Sequence, residues 1–469
     1  MTKVRIVARA DTGPRWATVV PLPQGQPPPD PDAAAAAGFT GAAGEVVQVA
    51  GWWLVAVGDD PAASGALAAA RMQAADAQVQ RPGTDCAAIH VDALDPATAS
   101  SFAVGFATRA WRFDRLRAST MLPHLQRLDL VTGDPAGLHR AWDHAGAALE
   151  GAGFARDLVA EPSNTLTPQG FIKRLRSLTK VGVEVEVIDR RALHRLGLGG
   201  LLAVGAGSAH PPALVILRWR GDGRATGPLV FVGKGITFDT GGICIKPAAG
   251  MEEMRADMAG AAACAGAMLA LARRRSPAPV TAVLALAENA TGGASYRPGD
   301  VLRLYDGSTV EVVDTDAEGR LVLADALGWA VRCLAPVAMV DLATLTGSVV
   351  VALGGLMAGV FGNDDALRDK LRVAGDAVGE PVWPMPIGQT HVDDLRSEIA
   401  DVRHCVPGRG QPDACHAAAF LRGFVGDTPW AHLDIAGMEQ RAEADDRYAA
   451  GASGFGVRLL NQLVADSFE

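Results

Sequence analysis

From about residue 150 onward the chain alternates short apolar runs with helix-forming segments, and this alternation restricts the available folds more than any other feature. VEVEVIDR, PALVILRWR, PLVFVGKGI, PVTAVLALAE, VAMVDLATL and AHLDIAG read as strands. FIKRLRSLTK, MEEMRADMAGAAACAGAMLALARR, LVLADALGWAVRCL and FGVRLLNQLV read as helices. Strands that are apolar on both faces and separated by helices predict a mostly parallel central sheet covered on both sides. Ligands of such sheets bind beyond the carboxyl ends of the strands.

The first 130 residues show an α/β pattern of shorter elements. VVQVAGWWLVAVG reads as two strands and a turn, AASGALAAARMQAADAQVQ and SSFAVGFATRAW as helices, CAAIHVDA and RLDLVTG as strands. PLPQGQPPPD and the alanine run Ala33–Ala37 read as a low-complexity loop. The long helical segment PAGLHRAWDHAGAALEGAGFARDLV then links two parts. The expected organisation is a smaller α/β domain over residues 1–150 and a larger one over 151–469.

Charge and cysteine usage exclude several classes of function. The chain has 43 Lys+Arg against 52 Asp+Glu, a net charge of −9. Residues 1–150 hold 12 basic and 15 acidic residues (−3), leaving 31 and 37 (−6) for the rest. Neither part has the basic excess that phosphate-backbone binding requires, so nucleic acid is not an expected partner. The uncharged runs near Ala259–Ala272 and Ser348–Asn363 are too short and too rich in Gly and Ala to span a bilayer. MTKVRIVARADTG lacks the apolar core of a signal peptide. The six cysteines (86, 244, 264, 333, 405 and 415) are scattered without a CxxC, as suits reduced thiols in a cytoplasm.

The chemistry concentrates in two segments. In FVGKGITFDTGGICIKPAAGMEEMRADMAG (231–260) an apolar strand runs into Lys234 and Asp239, the pair Gly241–Gly242 allows a tight turn, Lys246 follows, and a helix is expected to carry Asp257. In VDTDAEGRL (313–321) Asp316 and Glu318 stand two apart just before a helix, a spacing that in extended chain places both carboxylates on one side, with Arg320 next. Asp239, Asp257, Asp316 and Glu318 would repel one another if gathered without cations. Divalent metals resolve such a cluster, and four carboxylates suit a pair of ions.

Other readings of these segments exist, and for DTDAEG taken alone the first is as good as a ligand pair. Asp and Glu in DTDAEG could simply favour a helix N-terminus. A calcium loop beginning at Asp314 would need an entering helix, but VLRLYDGSTVEVV reads as a hairpin, and position twelve is Asp325 rather than Glu. GKGITFDTGG does not have P-loop spacing, and there is no HExxH.

With these residues in view, the sequence strongly resembles the cytosolic leucyl aminopeptidase family, dinuclear metallo-exopeptidases of the M17 type. VGKGITFDTGGICIKP, MRADMAGAAA, DTDAEGRLVLADAL, DLATLTG, FGNDD, GDTPWAHLDIAG and GFGVRLL occur in the family's order, so the likeness covers nearly all of 150–460. The N-terminal part matches only through AWRFDRLR, and an oligomerisation or regulatory role there is what the resemblance implies.

The resemblance implies one metal on Asp239, Asp316 and Glu318, with the Asp316 carbonyl, and a second on Lys234, Asp239, Asp257 and Glu318. The lysine would bind as its neutral amine. Zn²⁺, Mn²⁺ or Mg²⁺ would serve. A water activated between the ions would attack the scissile carbonyl, Lys246 would stabilise the oxyanion, and a bicarbonate on Arg320 would shuttle the proton. The free α-amine would meet a metal and the carbonyls of Thr344 and Leu345. Met254, Thr344, Gly347 and Ala452 would line an apolar side-chain pocket favouring Leu or Met. The implied protein is a cytoplasmic homohexamer with an internal cavity, hydrolysing short peptides with free N-termini.

The sequence also departs from the family. Asp314 stands where Asn is common, AEPSN (160–164) replaces Asn-Thr-Pro-x-Asn, and Cys244 stands where Ser is common. RHCVPGRGQPDACHAAAFL (403–421) replaces a glycine-rich loop and brings His404, Cys405, Cys415 and His416, which together could mimic a zinc site. An unpaired-thiol loop is the favoured reading. Two further functions remain to be weighed: a non-catalytic scaffold on the same fold, and a different dinuclear hydrolase such as a phosphatase. The first is disfavoured because no expected ligand is lost, and the second by the amine-binding segment DLATLTG.

Overall fold

The computed structural model describes residues 2–10, 16–49, 52–79, 85–118, 125–222, 227–408, 410–445 and 447–469. The chain divides into two compact units, Met1–Gly153 with Arg441–Gly451, and Phe154–Gln440 with Ala452–Glu469. A single cut after residue 150 was expected; the first unit also takes in the short late segment Arg441–Gly451.

The first unit is built on β1 (Lys3–Val7), β2 (Trp16–Pro23), β3 (Val46–Val49), β4 (Trp52–Val57), β5 (Cys86–His90) and β6 (Arg127–Val131). They form one sheet in the order β1-β6-β5-β2-β4-β3, parallel except for the β3–β4 hairpin. The turn of that hairpin, residues 50–51, lies outside the described residues. Helices α1 (Pro31–Ala36), α2 (Pro61–Val79), α3 (Pro96–Ala110) and α4 (Pro135–Ala160) complete the unit, α4 running on into the second. Most of the alanine run is helix α1 rather than the expected loop. The Asp30 side chain accepts from the Ala33 amide, Pro31 opens the first turn, and alanine has the highest helix propensity.

The second unit carries a larger sheet of β7 (Glu184–Ile188), β8 (Ala213–Trp219), β9 (Leu229–Asp239), β10 (Val280–Asn289), β13 (Ala338–Ala343), β14 (Ala358–Gly362), β15 (Val382–Pro384) and β17 (Trp430–Asp434). Its order is β15-β14-β17-β13-β9-β10-β8-β7. The central pairs β17–β13, β13–β9 and β9–β10 are parallel, whereas β10–β8, β8–β7 and β14–β17 are antiparallel. β11 (Val301–Arg303), β12 (Thr309–Glu311) and β16 (Val402–Arg403) form a small separate sheet, and β18 (Gln440–Arg441) pairs with β19 (Gly451–Ala452). Helices α5 (Pro168–Leu175), α6 (Arg190–Leu196), α7 (Gly199–Val204), α8 (Ala259–Arg273), α9 (Glu318–Leu334), α10 (Gly347–Leu353), α11 (Asp365–Val378), α12 (Gln389–Asp393), α13 (Asp413–Arg422) and α14 (Val457–Ser467) follow in chain order. Among the described residues, no helix is long and apolar enough to cross a membrane.

The expected single helix over MEEMRADMAGAAACAGAMLALARR is broken. Met251–Ala256 is a 3₁₀ turn, and α8 starts only at Ala259. Asp257 therefore sits at the junction and not on a helix. The start of α8 packs closely on the sheet: a Cβ on Gly260 would lie 2.0 Å from the Leu342 carbonyl oxygen of β13.

Candidate metal centre

The residues singled out from the sequence gather at the carboxyl ends of the central parallel strands. Asp239 ends β9 and Asn289 ends β10, and the two are register partners beyond an irregularity at Ala287. Thr344 and Leu345 follow β13, and Asp434 ends β17. Beyond β9 the chain doubles back at Gly241 (φ +85°) and Gly242 (φ +64°). A Cβ on Gly242 would meet Asn289 Oδ1 and Thr315 Oγ1 at 2.9 Å each, so both backbone conformation and space demand glycine.

Asp239, Asp316 and Glu318 each offer a carboxylate oxygen, and these oxygens all lie within 4.8 Å of one another. The extended arrangement expected for Asp316 and Glu318 is not what brings them together. Asp316 lies in a turn whose amide donates to Asp314 Oδ1 at 2.9 Å, and Glu318 is the first residue of α9. Asp314 thus caps this turn with its exposed side chain.

Two lysines face the carboxylates. Lys234 Nζ is 2.7 Å from Asp257 Oδ1, 2.9 Å from Glu318 Oε1 and 2.8 Å from the Thr344 carbonyl oxygen. Lys246 Nζ is 2.8 Å from Asp239 Oδ2 and 2.5 Å from Asp316 Oδ1. Burial and the neighbouring carboxylates push Glu318 and Asp257 above the usual carboxylate range, and Asp316 up to about 7, against the opposing pull of the lysines.

The donor set fits divalent cations. Both Glu318 oxygens, Asp257 Oδ2 and Asp316 Oδ1 are buried without a well-formed hydrogen bond, although buried polar oxygens are otherwise almost always satisfied. Two lysine ammonium groups only partly neutralise four carboxylates. Oxygen-rich sites of this kind suit Mg²⁺ or Mn²⁺, and a lysine nitrogen adds a ligand suited to Zn²⁺.

Sequence reasoning missed the frame around these ligands. Asn289 Nδ2 donates to Asp239 Oδ1 at 2.7 Å and to the Thr315 carbonyl at 3.0 Å, and Tyr296 OH donates to the same carbonyl at 2.8 Å. Thr315 Oγ1 donates to the Gly241 carbonyl and accepts from the Cys244 amide. Thr344 Oγ1 donates to Asp257 Oδ1. An Asn ending an apolar strand, in the same sheet as the strand that ends in Asp239, was the available signal.

Among the pocket residues, Met254 lies half-buried in the 3₁₀ turn, Thr344 and Leu345 are half-buried, and Gly347 is exposed at the start of α10. Ala452 is only 1% exposed, and its carbonyl accepts from Arg156 Nε at 2.7 Å.

His404, Cys405, Cys415 and His416 do not converge: among the described residues the only cluster with metal-binding spacing is the carboxylate one. His404 spends both ring nitrogens on the backbone, Nε2 on the Asp314 carbonyl at 2.7 Å and Nδ1 near the Val313 amide at 3.3 Å. Burial and the Arg320 charge lower its pKa to about 4, so it is neutral. Cys405 is buried, and its thiol is pushed up to about 12. Nε2 of His416 meets Asp394 Oδ2 at 3.1 Å. Within this stretch Arg409 lies outside the described residues.

Residues 153–461 match the model of the cytosol aminopeptidase family, catalytic domain. The chain belongs to the cytosol aminopeptidase family. A probable cytosol aminopeptidase of Gluconobacter oxydans is 48% identical over 365 residues, 77% of this chain and 74% of that protein. One of Rhizobium johnstonii is 44% identical over 395 residues, 82% and 79% of the two chains. Two solved structures resemble the fold across nearly the whole length. The bottromycin maturation enzyme BotP in complex with Mn is 34% identical with a TM-score of 0.84, covering 97% of this chain and all of that one. A cytosol aminopeptidase from Coxiella burnetii is 27% identical with a TM-score of 0.84, covering 99% of each. Members of the family are metallo-exopeptidases, hydrolases of peptide bonds, and the two-domain α/β architecture described above is consistent with membership.

Proposed function

We propose that this chain is a metal-dependent aminopeptidase that releases N-terminal residues, apolar ones such as Leu preferred, from short peptides. The observation that carries this reading is the carboxylate set Asp239, Asp316 and Glu318, of which Asp239 and Glu318 are buried, with ligand oxygens within 4.8 Å and neither Glu318 oxygen in a well-formed hydrogen bond. Asp239, Asp316 and Glu318 would hold one divalent ion, and Lys234, Asp239, Asp257 and Glu318 a second, Zn²⁺, Mn²⁺ or Mg²⁺. Such a pair, when bound, supplies Lewis acidity and lowers the pKa of a shared water.

The chain's own groups do the rest. The Thr344 carbonyl, now accepting from Lys234, and that of Leu345 would accept from the substrate α-amine, which excludes blocked N-termini. Lys246, its ammonium between Asp239 and Asp316, would donate to the carbonyl oxygen as negative charge develops there. Met254, Thr344 and Gly347 would border the side chain of the leaving residue, with Ala452 behind them. Apolar pockets separate side chains differing by one methylene by only about 1–3 kcal/mol, so the preference is graded. Assembly as a homohexamer belongs to the same proposal, and light scattering on the active protein tests it.

The decisive experiment strips the protein with a chelator, adds back Mn²⁺, Zn²⁺ or Mg²⁺, and follows Leu-p-nitroanilide beside its N-acetyl derivative. Metal-restored hydrolysis of the free amine alone is expected. No hydrolysis with two ions bound per chain, or equal hydrolysis of the blocked substrate, would overturn the proposal.

A further inference from the structure

Arg320 is the third residue of α9, two positions beyond Glu318, and its side chain is 2% exposed. A guanidinium so buried needs an anion or a full set of acceptors. The chain provides an anion and only part of such a set. Nη1 donates to the His404 carbonyl at 2.9 Å, and Nη2 donates to Asp413 Oδ1 at 2.7 Å. Nε is buried and has no partner.

A planar oxyanion binds arginine best through two parallel N–H groups on one edge. Asp413 already takes Nη2, and Nε is buried. Nη1 and Nη2 are held by two different partners. Asp413 is well placed to stay there. It is the first residue of α13, where the helix dipole favours a carboxylate, and the next amide donates to Ser348 Oγ at 2.8 Å. Its side chain is 40% exposed, so it seals the arginine at the rim of the fold.

We propose that Asp413 is the resident anion of Arg320, holding the Nη2 group that a bicarbonate would otherwise use, so that this chain works without bicarbonate. This rests on the aminopeptidase reading only for its effect on turnover. Asp413 is a positioning residue: it holds Arg320 and supplies the negative charge there from within the chain.

The test uses the metal-loaded protein, with bicarbonate as the probe and two readouts, the melting temperature and the hydrolysis of Leu-p-nitroanilide. A ligand that binds only the folded state raises the melting temperature as its concentration exceeds its Kd. Wild type is expected to melt at the same temperature and turn over at the same rate in CO₂-depleted and bicarbonate-containing buffer. Asp413→Gly is expected to melt higher as bicarbonate is added, and to lose about 10- to 100-fold of kcat, partly recovered by bicarbonate. Asp413→Asn keeps the side-chain volume while removing the charge, so it covers the case in which the glycine variant does not fold. Asp413→Glu should behave as wild type. Wild type that is stabilised or activated by bicarbonate would overturn the proposal. So would a folded Asp413→Asn with full activity, or one with lost activity and no response to bicarbonate in either readout. Wild type inactive with every metal would count against the aminopeptidase reading alone, and the melting experiment would still decide about Asp413.

Discussion

Each unit buries a carboxylate completely, and the two are treated in opposite ways. In the first unit Asp129 of β6 is 0% exposed and accepts two arginine forks. Arg5 donates through Nε at 2.9 Å and Nη2 at 2.7 Å, and Arg127 through Nε at 2.9 Å and Nη2 at 2.6 Å. In the second unit Glu318 is 1% exposed, lies beside Asp239, Asp257 and Asp316, and has neither oxygen in a proper hydrogen bond. Burial alone does not mark a functional acid. Asp129 has all the positive charge its site can use, and serves to tie β1 to β6. Glu318 stands in a surplus of negative charge that only further cations can balance.

This contrast can be broken at several points. The largest effect is expected from Glu318→Gln, which removes a ligand shared by both proposed ions. Hydrolysis should fall by about 10³-fold or more, roughly 4 kcal/mol in activation free energy, with loss of bound metal, while the metal-free protein melts no lower than wild type. Asp129→Asn should do the reverse. Metal content and kcat stay unchanged, and stability falls by about 2 kcal/mol, less than for a wholly buried pair because both arginines are partly exposed. Denaturant titration of the two metal-free variants checks the pair, and a Glu318→Gln protein less stable than Asp129→Asn would erase the distinction.

Asn289→Ala sharpens the comparison by leaving every ligand in place. With the donor to Asp239 Oδ1 gone, metal affinity measured by competition with a chelator should weaken by about tenfold. The smallest effect concerns pH. His432 of β17 is buried with Nδ1 2.5 Å from Asp341 Oδ1, and Trp430 Nε1 donates to the other oxygen of Asp341. Burial pushes the His432 pKa down, the Asp341 and Asp434 carboxylates more than reverse this, and the Arg320 charge opposes them, leaving a net upward shift. Stability from the protonated ring is therefore complete below its unfolded value near 6.5 and is lost as pH rises through the higher folded value. Melting temperatures of wild type should decline more steeply above pH 6.5 than those of His432→Gln.

Much of the centre was legible because its residues are close in sequence or punctuated by glycine. The strand into Asp239, the turn at Gly241–Gly242, the Asp316–Glu318 pair and the hairpin before it all announce themselves locally. Elements decided by tertiary packing did not. Nothing within MEEMRADMAGAAAC signals a helix break at Asp257, whose carboxylate is held by the distant side chains of Lys234 and Thr344. Strand β1 went unread, and the end of β2, Pro21–Pro23, was taken into the Pro-rich loop. The Arg320–Asp413 pair spans 93 residues and the Asp239–Asn289 pair 50, so neither leaves a periodic trace. The His404–Cys405 and Cys415–His416 pairs looked like metal ligands by residue type. His404 instead fastens its loop to the turn at 313–314.

The placement of Asp239 and Asn289 as register partners on adjacent central strands has a consequence for how the protein comes apart. Their separation is set by the hydrogen-bonded ladder between β9 and β10, which lies in the middle of an eight-stranded sheet. Amides there exchange only through opening of the whole unit, whereas Asp413 is reached through a stretch at the fold's rim. On gentle heating the half-exposed Asp413 should release Arg320 first, while the carboxylate frame persists until the sheet itself melts.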